Sequence, residues 1–213
     1  MSNRLLACCE ANDLLCEEQL GFRRFRSCQE QLHNLHNILL SRKSQGLPTF
    51  AAFLDMVKAY DYVWKEGFLV KLARCGVTGR MWRTLRSFHS AFRLRLHDLV
   101  APTAARITET WTSDRGLPQG TNTSCVSFDL HINDIMVDLK GGGLGVSVSG
   151  LRVPGLMVAD DIVLLAPSAA ELSTSPACVG SAEFKPSISV IAACARRNAH
   201  QKHVCCCALV AVD

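Results

Sequence analysis

Three aspartates stand where short apolar stretches of the chain end, and this placement suggests metal chemistry. Asp55 closes one apolar run, and Asp160 and Asp161 lie between two others, 156–159 and 162–166. A carboxylate beside so much apolar surface is costly unless it is paired or bound to a metal. Three carboxylates brought together repel one another unless divalent cations neutralise them. Oxygen-only ligands favour Mg²⁺ or Mn²⁺, so the pattern is compatible with two-metal phosphoryl transfer.

The elements around these aspartates are predicted to bring them to one edge of a sheet. The apolar run 49–55 follows Pro48 and is typical of a buried strand. The runs 156–159 and 162–166 flank the Asp-Asp pair like the two arms of a tight hairpin. An isolated Asp-Asp pair is usually no more than a solvated turn, so this pattern requires support from other segments.

The remaining pattern predicts a mixture of helices and short strands. Ser27 and Glu30 have the spacing of a capping box, and a helix is expected from there to about Gly46. Asp61 is interpreted as a helix N-cap. Further helices are predicted over 4–20, 63–75, 79–90 and from the turn at 116–120 to about 136, and strands over 93–97 and 107–111.

Bulk composition favours an intracellular globular protein. The 213 residues are 48% apolar, enough for one ordinary core. Eleven cysteines, an odd number without framework spacing, argue against a secreted disulfide scaffold. No signal segment or membrane-spanning apolar run is visible, and nothing separates nucleus from cytoplasm.

Charge is distributed unevenly along the chain. Residues 1–100 hold 15 Lys and Arg against 9 Asp and Glu, whereas residues 101–173 hold 4 against 8. A basic half beside an acidic half suits a phosphate-binding surface next to a metal site, although such a difference also arises by chance.

Four segments, taken in order, resemble the reverse transcriptases of non-LTR (LINE-type) retrotransposons. The resemblance spans about residues 19–172, and four ordered motifs are far more specific than one. The first segment is similar to the finger segment before the palm, and the other three to the successive palm motifs: QLGFRRFRSCQEQL (19–32), FLDMVKAYDYV (53–63), RGLPQGTNTSCVSFDLHINDI (115–135) and VADDIVLLA (158–166).

The resemblance implies a set of metal-binding carboxylates. Asp55, Asp160 and Asp161 match the catalytic aspartates of the family. Asp55 and Asp160 are favoured as direct ligands, and Asp161 as the more peripheral one. Two Mg²⁺ (or Mn²⁺) ions are the implied cofactors.

Other matching positions imply contacts with the incoming nucleotide. Tyr60 matches the aromatic residue that closes over the sugar and disfavours a 2′-hydroxyl; the alternative is a core aromatic. Gln119 and Gly120 match the loop that meets nucleotide and template. Arg23 or Arg26 would hold triphosphate oxygens, because guanidinium suits bidentate phosphate contact, or would belong to a solvated basic loop.

The chain also departs from the family pattern. Val158 stands where an aromatic residue is usual, and TNTSCV after Gly120 predicts an irregular helix start. Between Lys140 and Lys185 there is no lysine to protonate departing pyrophosphate. Only 52 residues follow Asp161, which predicts a truncated enzyme without a thumb.

The expected fold is α+β: a polymerase palm, with a small, mostly antiparallel sheet and packed helices, plus partial fingers. The predicted organisation is partial fingers over 1–48, palm over 49–172, and an unassigned segment over 173–213, for which a disordered or frameshifted tail is one interpretation. The expected partners are an RNA template, a DNA primer and a dNTP, with no membrane; the oligomeric state is left open.

Two alternatives to an active polymerase remain. One is a catalytically inactive retrotransposon remnant that keeps the palm and at most binds nucleic acid. The other is a metal-binding or redox module at the C-terminus that uses Cys194, His200, His203 and Cys205–Cys207. For zinc, His200, His203 and Cys205 have suggestive spacing but lack a clean first ligand pair.

Overall fold

A five-stranded antiparallel sheet is the largest β structure in the computed structural model of the chain. The structure describes residues 1–56, 58–90, 93–94, 111–112, 115–173, 187–193 and 207–212. For Asp55 and for the four short ranges 93–94, 111–112, 187–193 and 207–212, that description covers the backbone alone. Of the predicted C-terminal module, Cys194, His200, His203, Cys205 and Cys206 lie outside the described residues, and Cys207 is described in its backbone alone.

The sheet has the spatial order β6-β7-β1-β8-β9. β1 is the central strand, and it pairs antiparallel with β7 on one side and with β8 on the other. The strands are β1 (Phe50–Asp55), β6 (Gly155–Val158), β7 (Asp161–Ala166), β8 (Ser187–Ala193) and β9 (Cys207–Val212). The last two lie in the segment predicted as a disordered tail, where the sequence pattern gave no sign of them.

The other named strands form two two-stranded antiparallel sheets. β2 (Arg93–Leu94) pairs with β3 (Trp111–Thr112), and β4 (Val146–Val148) pairs with β5 (Leu151–Val153). The β4–β5 turn has positive φ at both central residues, 50° at Ser149 and 83° at Gly150. Two positive φ values are the signature of a type I′ turn, whose twist matches that of the flanking strands.

Seven helices are present in the described ranges. Their bounds are α1 (Ser2–Ala11), α2 (Cys28–Ser44), α3 (Lys65–Arg74), α4 (Gly79–Ser90), α5 (Asn122–Ile132), α6 (Asp134–Gly141) and α7 (Ala169–Ser173). None of them is long and apolar enough to cross a membrane. The Ser27 cap is confirmed, because its Oγ accepts a hydrogen bond from the Glu30 backbone N–H at 3.1 Å.

The single helix predicted after the 116–120 turn is divided in two. α5 ends at Ile132 and α6 begins at Asp134, with Asn133 between them. The Asn133 side chain is buried, and its Oδ1 accepts a hydrogen bond from the Cys16 backbone N–H at 2.7 Å. Asn133 therefore binds the loop that contains Cys16 at the point where the two helices meet.

α2 lies against the sheet through an apolar cluster formed by Ile38, Ala51, Val146, Leu156 and Leu165. At the end of this helix the Arg42 guanidinium is buried, and burial lowers the pKa of Arg42. It donates to Thr49 Oγ1 at 2.7 Å, Ser147 O at 3.0 Å and Pro48 O at 2.6 Å. These bonds tie α2 to the start of β1 and to β4.

The chain divides into two compact units. The first comprises Met1–Cys8 and Lys58–His131, and the second comprises Cys9–Val57 and Ile132–Asp213. This division follows spatial contacts and differs from the expected order of fingers 1–48, palm 49–172 and tail 173–213. The functional boundaries within the chain stay a prediction.

Candidate active site

The three predicted metal-binding aspartates lie at the ends of neighbouring strands in the second unit. β1 and β7 are antiparallel, with Leu54 opposite Ile162. Continuing this register by one residue sets Asp55 opposite Asp161. Opposed Cα atoms in antiparallel strands are about 4.5–5.5 Å apart. Asp160 precedes Asp161 in the turn, so the backbone brings all three positions to one edge of the sheet.

The turn that carries Asp160 has two residues. Val158 pairs with Asp161, leaving Ala159 and Asp160 as the loop of the β6–β7 hairpin. Ala159 has a φ of 53°, a left-handed conformation that is uncommon for a residue with a Cβ atom. The hairpin therefore forms with Val158 in the usual aromatic position, and its turn contains a strained residue.

The carboxylates at this edge fit a divalent metal. Asp161 is exposed and Asp160 is half-buried, so both are accessible from solvent. The donor set is oxygen only, which suits Mg²⁺, an ion that keeps several waters and takes few protein ligands. No three metal-ligating side chains form a close group in the described part of the chain, a set that does not include the Asp55 side chain.

Tyr60 lies in the first unit, on the turn after β1. Its ring stacks on that of Phe128 from α5, with centroids 4.8 Å apart and an angle of 13° between the planes. Phe128 is buried, whereas Tyr60 is half-buried. Tyr60 is therefore a rim residue with one side supported by the core.

The loop that contains Gln119 is attached to this same turn. Leu117 N–H donates to Tyr60 O at 2.8 Å, and Gly116 N–H donates to Val63 O at 2.9 Å. Gly116 has a φ of 85°, and a Cβ atom there would lie 3.0 Å from the backbone oxygen of Asp61. A side chain at position 116 would thus strain the junction between the first and second palm motifs.

Gln119 and Gly120 lie at the exposed end of this loop. Gln119 Nε2 donates to Asp61 Oδ1 at 3.0 Å, and both side chains are exposed. Gly120 has a φ of 85° and open space where a Cβ atom would lie. The interpretation of Asp61 as a helix N-cap is wrong, because α3 begins four residues later with Trp64 at its cap.

The helix after this loop begins regularly. The Thr121 Oγ1 atom accepts a hydrogen bond from the Ser124 backbone N–H at 3.3 Å, the arrangement of an N-cap side chain. The irregular start predicted from TNTSCV is wrong, since threonine supplies the cap at the first position of that sequence.

Arg23 and Arg26 lie in the second unit, in the basic segment before α2. The Arg23 guanidinium is only 6% exposed and binds both carboxylate oxygens of Glu10, at 2.8 and 2.7 Å. It also donates to Cys16 O at 3.0 Å and Gln19 O at 3.1 Å. Arg23 is therefore not part of a solvated loop.

Arg26 is more accessible than Arg23. It forms ion pairs of 2.9 Å with Glu17 and with Glu30, and its side chain is 33% exposed. The predicted contact with triphosphate oxygens stays a prediction for both arginines. Of the two, Arg26 is held by fewer and more exposed contacts within the protein.

Comparison with known proteins decides which family these features belong to. A family model described as reverse transcriptase (RNA-dependent DNA polymerase) matches residues 1–183. The chain belongs to the reverse transcriptase family. The predicted resemblance is confirmed at this level.

Relatives of this chain come from non-LTR mobile elements. It is 38% identical over 72 residues to the RNA-directed DNA polymerase from mobile element jockey of Drosophila melanogaster, covering 34% of this chain and 8% of the relative. It is 25% identical over 169 residues to the RNA-directed DNA polymerase from mobile element jockey of Drosophila funebris, covering 78% of this chain and 17% of that relative. The chain thus spans less than a fifth of the length of these relatives.

Solved structures similar to the reverse transcriptase chain share its fold. Apo telomerase from Candida tropicalis, truncated from its C-terminal domain, superposes with a TM-score of 0.65 at 10% identity, covering 96% of this chain and 41% of that one. Telomerase from Candida albicans, in complex with a fragment of telomeric RNA, gives a TM-score of 0.53 at 12% identity, covering 89% and 34%. The predicted α+β palm-type fold is confirmed.

Two residues of the reverse transcriptase finger motif had no role in the sequence analysis. Gln19 and Gly21 lie directly against the turn residue Ala159. Their only signal in the sequence was their position within QLGFRRFRS, because a contact across 140 residues leaves no local pattern.

Proposed function

We propose that this chain is the palm of an RNA-directed DNA polymerase that transfers a nucleotide from a dNTP to a primer 3′-hydroxyl. The observation that carries the proposal is the register that sets Asp55 opposite Asp161, beside Asp160 in the turn. Neighbouring strand ends bring the backbone positions of the three aspartates to one edge of the sheet, where Asp160 and Asp161 are accessible. Such a cluster has a clear use in phosphoryl transfer and little use in stabilising the fold, because like charges repel.

Asp55, Asp160 and Asp161 would hold two Mg²⁺ or Mn²⁺ ions. Bound there, the ions supply stabilisation of charge on the attacking and leaving oxygens of an in-line displacement. The three side chains contribute the oxygen donors and the negative charge that makes the edge bind cations. Asp55 and Asp160 are the favoured direct ligands.

Tyr60, Gln119 and Gly120 would bind and orient the incoming nucleotide. The supported ring of Tyr60 offers a rigid apolar face to a sugar, and its bulk excludes a 2′-hydroxyl. The Gly120 backbone has open space on its α-carbon, so a ligand can approach it closely. The exposed Gln119 side chain supplies an amide for hydrogen bonding, and Asp61 orients it by accepting a hydrogen bond from its Nε2.

An RNA template and a DNA primer are the proposed nucleic-acid partners. The relatives are named RNA-directed DNA polymerases, and one structural neighbour was solved with telomeric RNA. The excess of positive charge in residues 1–100 supports binding to phosphates. Affinity that rests on such contacts falls steeply with salt.

A second candidate is a nucleic-acid-binding remnant that cannot extend a primer. Val158 in the usual aromatic position favours it, because primer contact beside the catalytic turn then lacks a ring. The absence of a lysine between Lys140 and Lys185 favours it as well, since no such residue can protonate the departing pyrophosphate.

Primer extension distinguishes the two candidates. The purified chain is assayed on an RNA template with Mg²⁺ or Mn²⁺, next to an Asp160→Asn, Asp161→Asn double variant. Asp138→Asn is the matched control, because Asp138 is an exposed aspartate on α6 of the same unit. Circular dichroism establishes that all three proteins are equally folded.

Extension by the wild type and by Asp138→Asn, but not by the double variant, is the expected result. Equal extension by the double variant would contradict the proposed site. No extension from a folded wild type that still binds primer–template would favour the remnant.

A further inference from the structure

A segment of the finger motif runs along the exposed edge of β6 and ends at the catalytic turn. Leu20 N–H donates to Met157 O at 3.0 Å, and Met157 N–H donates to Glu18 O at 2.8 Å. Gln31 Nε2 binds the same edge, donating to Glu18 O at 2.6 Å and Met157 O at 3.1 Å. This bridge brings the next residues of the segment to the hairpin loop.

The Gln19 side chain binds the backbone of the turn residue Ala159 on both sides. Gln19 Oε1 accepts from Ala159 N–H at 2.9 Å, and Gln19 Nε2 donates to Ala159 O at 3.3 Å. The same Oε1 accepts from Gly21 N–H at 2.8 Å. Gln19 is fully buried, so water does not compete for these bonds. A buried amide with three bonds to backbone groups is a rigid template for the peptide that it faces.

Gly21 makes close approach to the same turn possible. A Cβ atom at position 21 would lie 2.4 Å from Ala159 N and 2.9 Å from both Ala159 Cα and Gln19 Oε1. These distances are too short for any side chain. Alanine at position 21 would push the turn away or displace the Gln19 amide.

Ala159 needs this support because of its backbone conformation. Its φ of 53° is unfavourable for alanine, whereas glycine adopts it readily. A strained conformation of this kind persists where the surrounding structure over-determines it. Gln19 and Gly21 are the neighbours that do so, and Ala159 is directly followed by Asp160 and Asp161.

We propose that Gln19 and Gly21 are positioning residues that hold the Ala159–Asp160 turn in the conformation in which Asp160 and Asp161 bind metal. The proposal rests on the proposed function of those aspartates. On this proposal the finger motif helps to shape the metal site by supporting the turn, and it does not contact the substrate.

The first test compares Gln19→Met with Gln31→Met. Both glutamines are buried and bind backbone groups, but Gln19 binds Ala159 in the turn, whereas Gln31 binds Met157 on β6. Hydrogen exchange of the Ala159 amide reads the turn directly, without metal or activity. We expect exchange at Ala159 to accelerate about tenfold or more in Gln19→Met and to change little in Gln31→Met.

Metal affinity is measured on the same full-length proteins by the electron paramagnetic resonance of free Mn²⁺. Residues that orient metal ligands typically change affinity by about 10–100-fold when removed, so we expect that loss for Gln19→Met and not for Gln31→Met. Asp160→Asn, Asp161→Asn is run in parallel. An unchanged affinity in that double variant would defeat the proposed function itself, independently of Gln19.

Two further variants probe the turn from other directions. Gly21→Ala should weaken Mn²⁺ binding as Gln19→Met does, while Gly141→Ala, where a Cβ atom meets open space, should not. Replacing Ala159 by glycine removes the unfavourable φ. The double variant Gln19→Met, Ala159→Gly should therefore regain Mn²⁺ affinity relative to Gln19→Met alone.

The outcomes separate a positioning role from general support of the fold. If Gln19→Met and Gln31→Met weaken Mn²⁺ binding equally, or if glycine at 159 restores nothing, the proposal is overturned. It is likewise overturned if the Asp160, Asp161 variant loses Mn²⁺ and Gln19→Met and Gly21→Ala retain it. Should Gln19→Met not fold, Gly21→Ala and its Gly141→Ala control decide alone.

Discussion

The Tyr60 ring lies flat on the Phe128 ring, 4.8 Å between centroids, and thereby joins the first and second palm motifs. Because Phe128 is buried, it holds the Tyr60 ring from one side. The proposed function uses this ring to exclude a 2′-hydroxyl. We predict that Tyr60→Val incorporates ribonucleotides better, lowering the preference for dNTP over rNTP by about tenfold or more. Competing single-nucleotide incorporation measures this ratio.

Phe128→Leu is the matched control for the support of that ring. Leucine keeps the buried position apolar but removes the stacking partner of Tyr60. We expect a smaller loss of sugar discrimination together with a loss of stability, because a large buried side chain is shortened. A Tyr60→Val enzyme with wild-type discrimination would show that the ring serves packing alone.

Arg23 and Arg26 are predicted to differ in their contribution to stability. Arg23→Met removes four hydrogen bonds from a buried guanidinium and should lower the free energy of unfolding by about 2 kcal/mol or more. Arg26→Met breaks two ion pairs that are more exposed to solvent, and it should lower the free energy of unfolding by less than about 1 kcal/mol. Urea denaturation of both variants measures the difference.

The same variants test the phosphate role predicted from the sequence. An arginine that holds triphosphate oxygens should raise the KM for dNTP when it is removed, in addition to any change in stability. If Arg26→Met raises KM and leaves stability nearly unchanged, phosphate contact belongs to Arg26. Equal destabilisation by the two variants would contradict the distinction drawn from their burial.

Glu10 makes the stability of the fold depend on acidity. The hydrogen bond from Arg23 is the main reason why the pKa of Glu10 lies below its ordinary value of 4.5, and burial opposes it. A carboxyl whose folded pKa is depressed adds stability above its unfolded pKa and loses it as pH falls through the folded value. The difference in unfolding free energy between wild type and Glu10→Gln should therefore shrink below about pH 4.5. A difference that stays constant down to about pH 3 would contradict this linkage.

Much of the scaffold around the aspartates could be predicted from local patterns. β1 and the two arms of the β6–β7 hairpin are short apolar runs bounded by polar residues, which is the pattern of largely buried strands. α3 and α4 have helical periodicity, and two glycines with positive φ mark the turn between them: Gly76 just after the end of α3 and Gly79 at the start of α4. The placement of Asp55 opposite Asp161 follows from these strands once they pair.

Contacts between distant segments could not be predicted in this way. Arg23 reads as a solvated basic residue, and only the folded chain brings Glu10 and two carbonyl oxygens around it. Gln19 binds Ala159 across 140 residues. Aspartate is a common N-cap residue, yet the Asp61 side chain accepts a hydrogen bond from Gln119 and does not cap a helix. In each case a polar side chain binds a partner that no local pattern identifies: 13 residues separate Arg23 from Glu10, 58 separate Asp61 from Gln119, and 140 separate Gln19 from Ala159.

His89 is a buried, uncharged histidine in α4. It has no exposed surface, and its ring meets the edges or faces of Phe68 and Phe88 at centroid distances of 5.4 and 5.1 Å. Neither ring nitrogen has a hydrogen-bond partner among the described residues. Burial, with a smaller effect of nearby Lys65, lowers the pKa of His89 from 6.5 to about 4.

Folding should therefore weaken as the solution becomes mildly acidic. The unfolded chain takes up a proton at this histidine near pH 6.5, whereas the folded chain does so only near pH 4. The free energy of unfolding therefore decreases as the pH is lowered from 6.5 to about 4. The full effect is about 3 kcal/mol. His89→Phe should flatten the dependence of the unfolding free energy on pH in this window, and His36→Phe, at an exposed position, should not. Urea denaturation at several pH values measures both slopes. If the wild type and His89→Phe lose stability in parallel from pH 6.5 downwards, the buried histidine is not the group that responds.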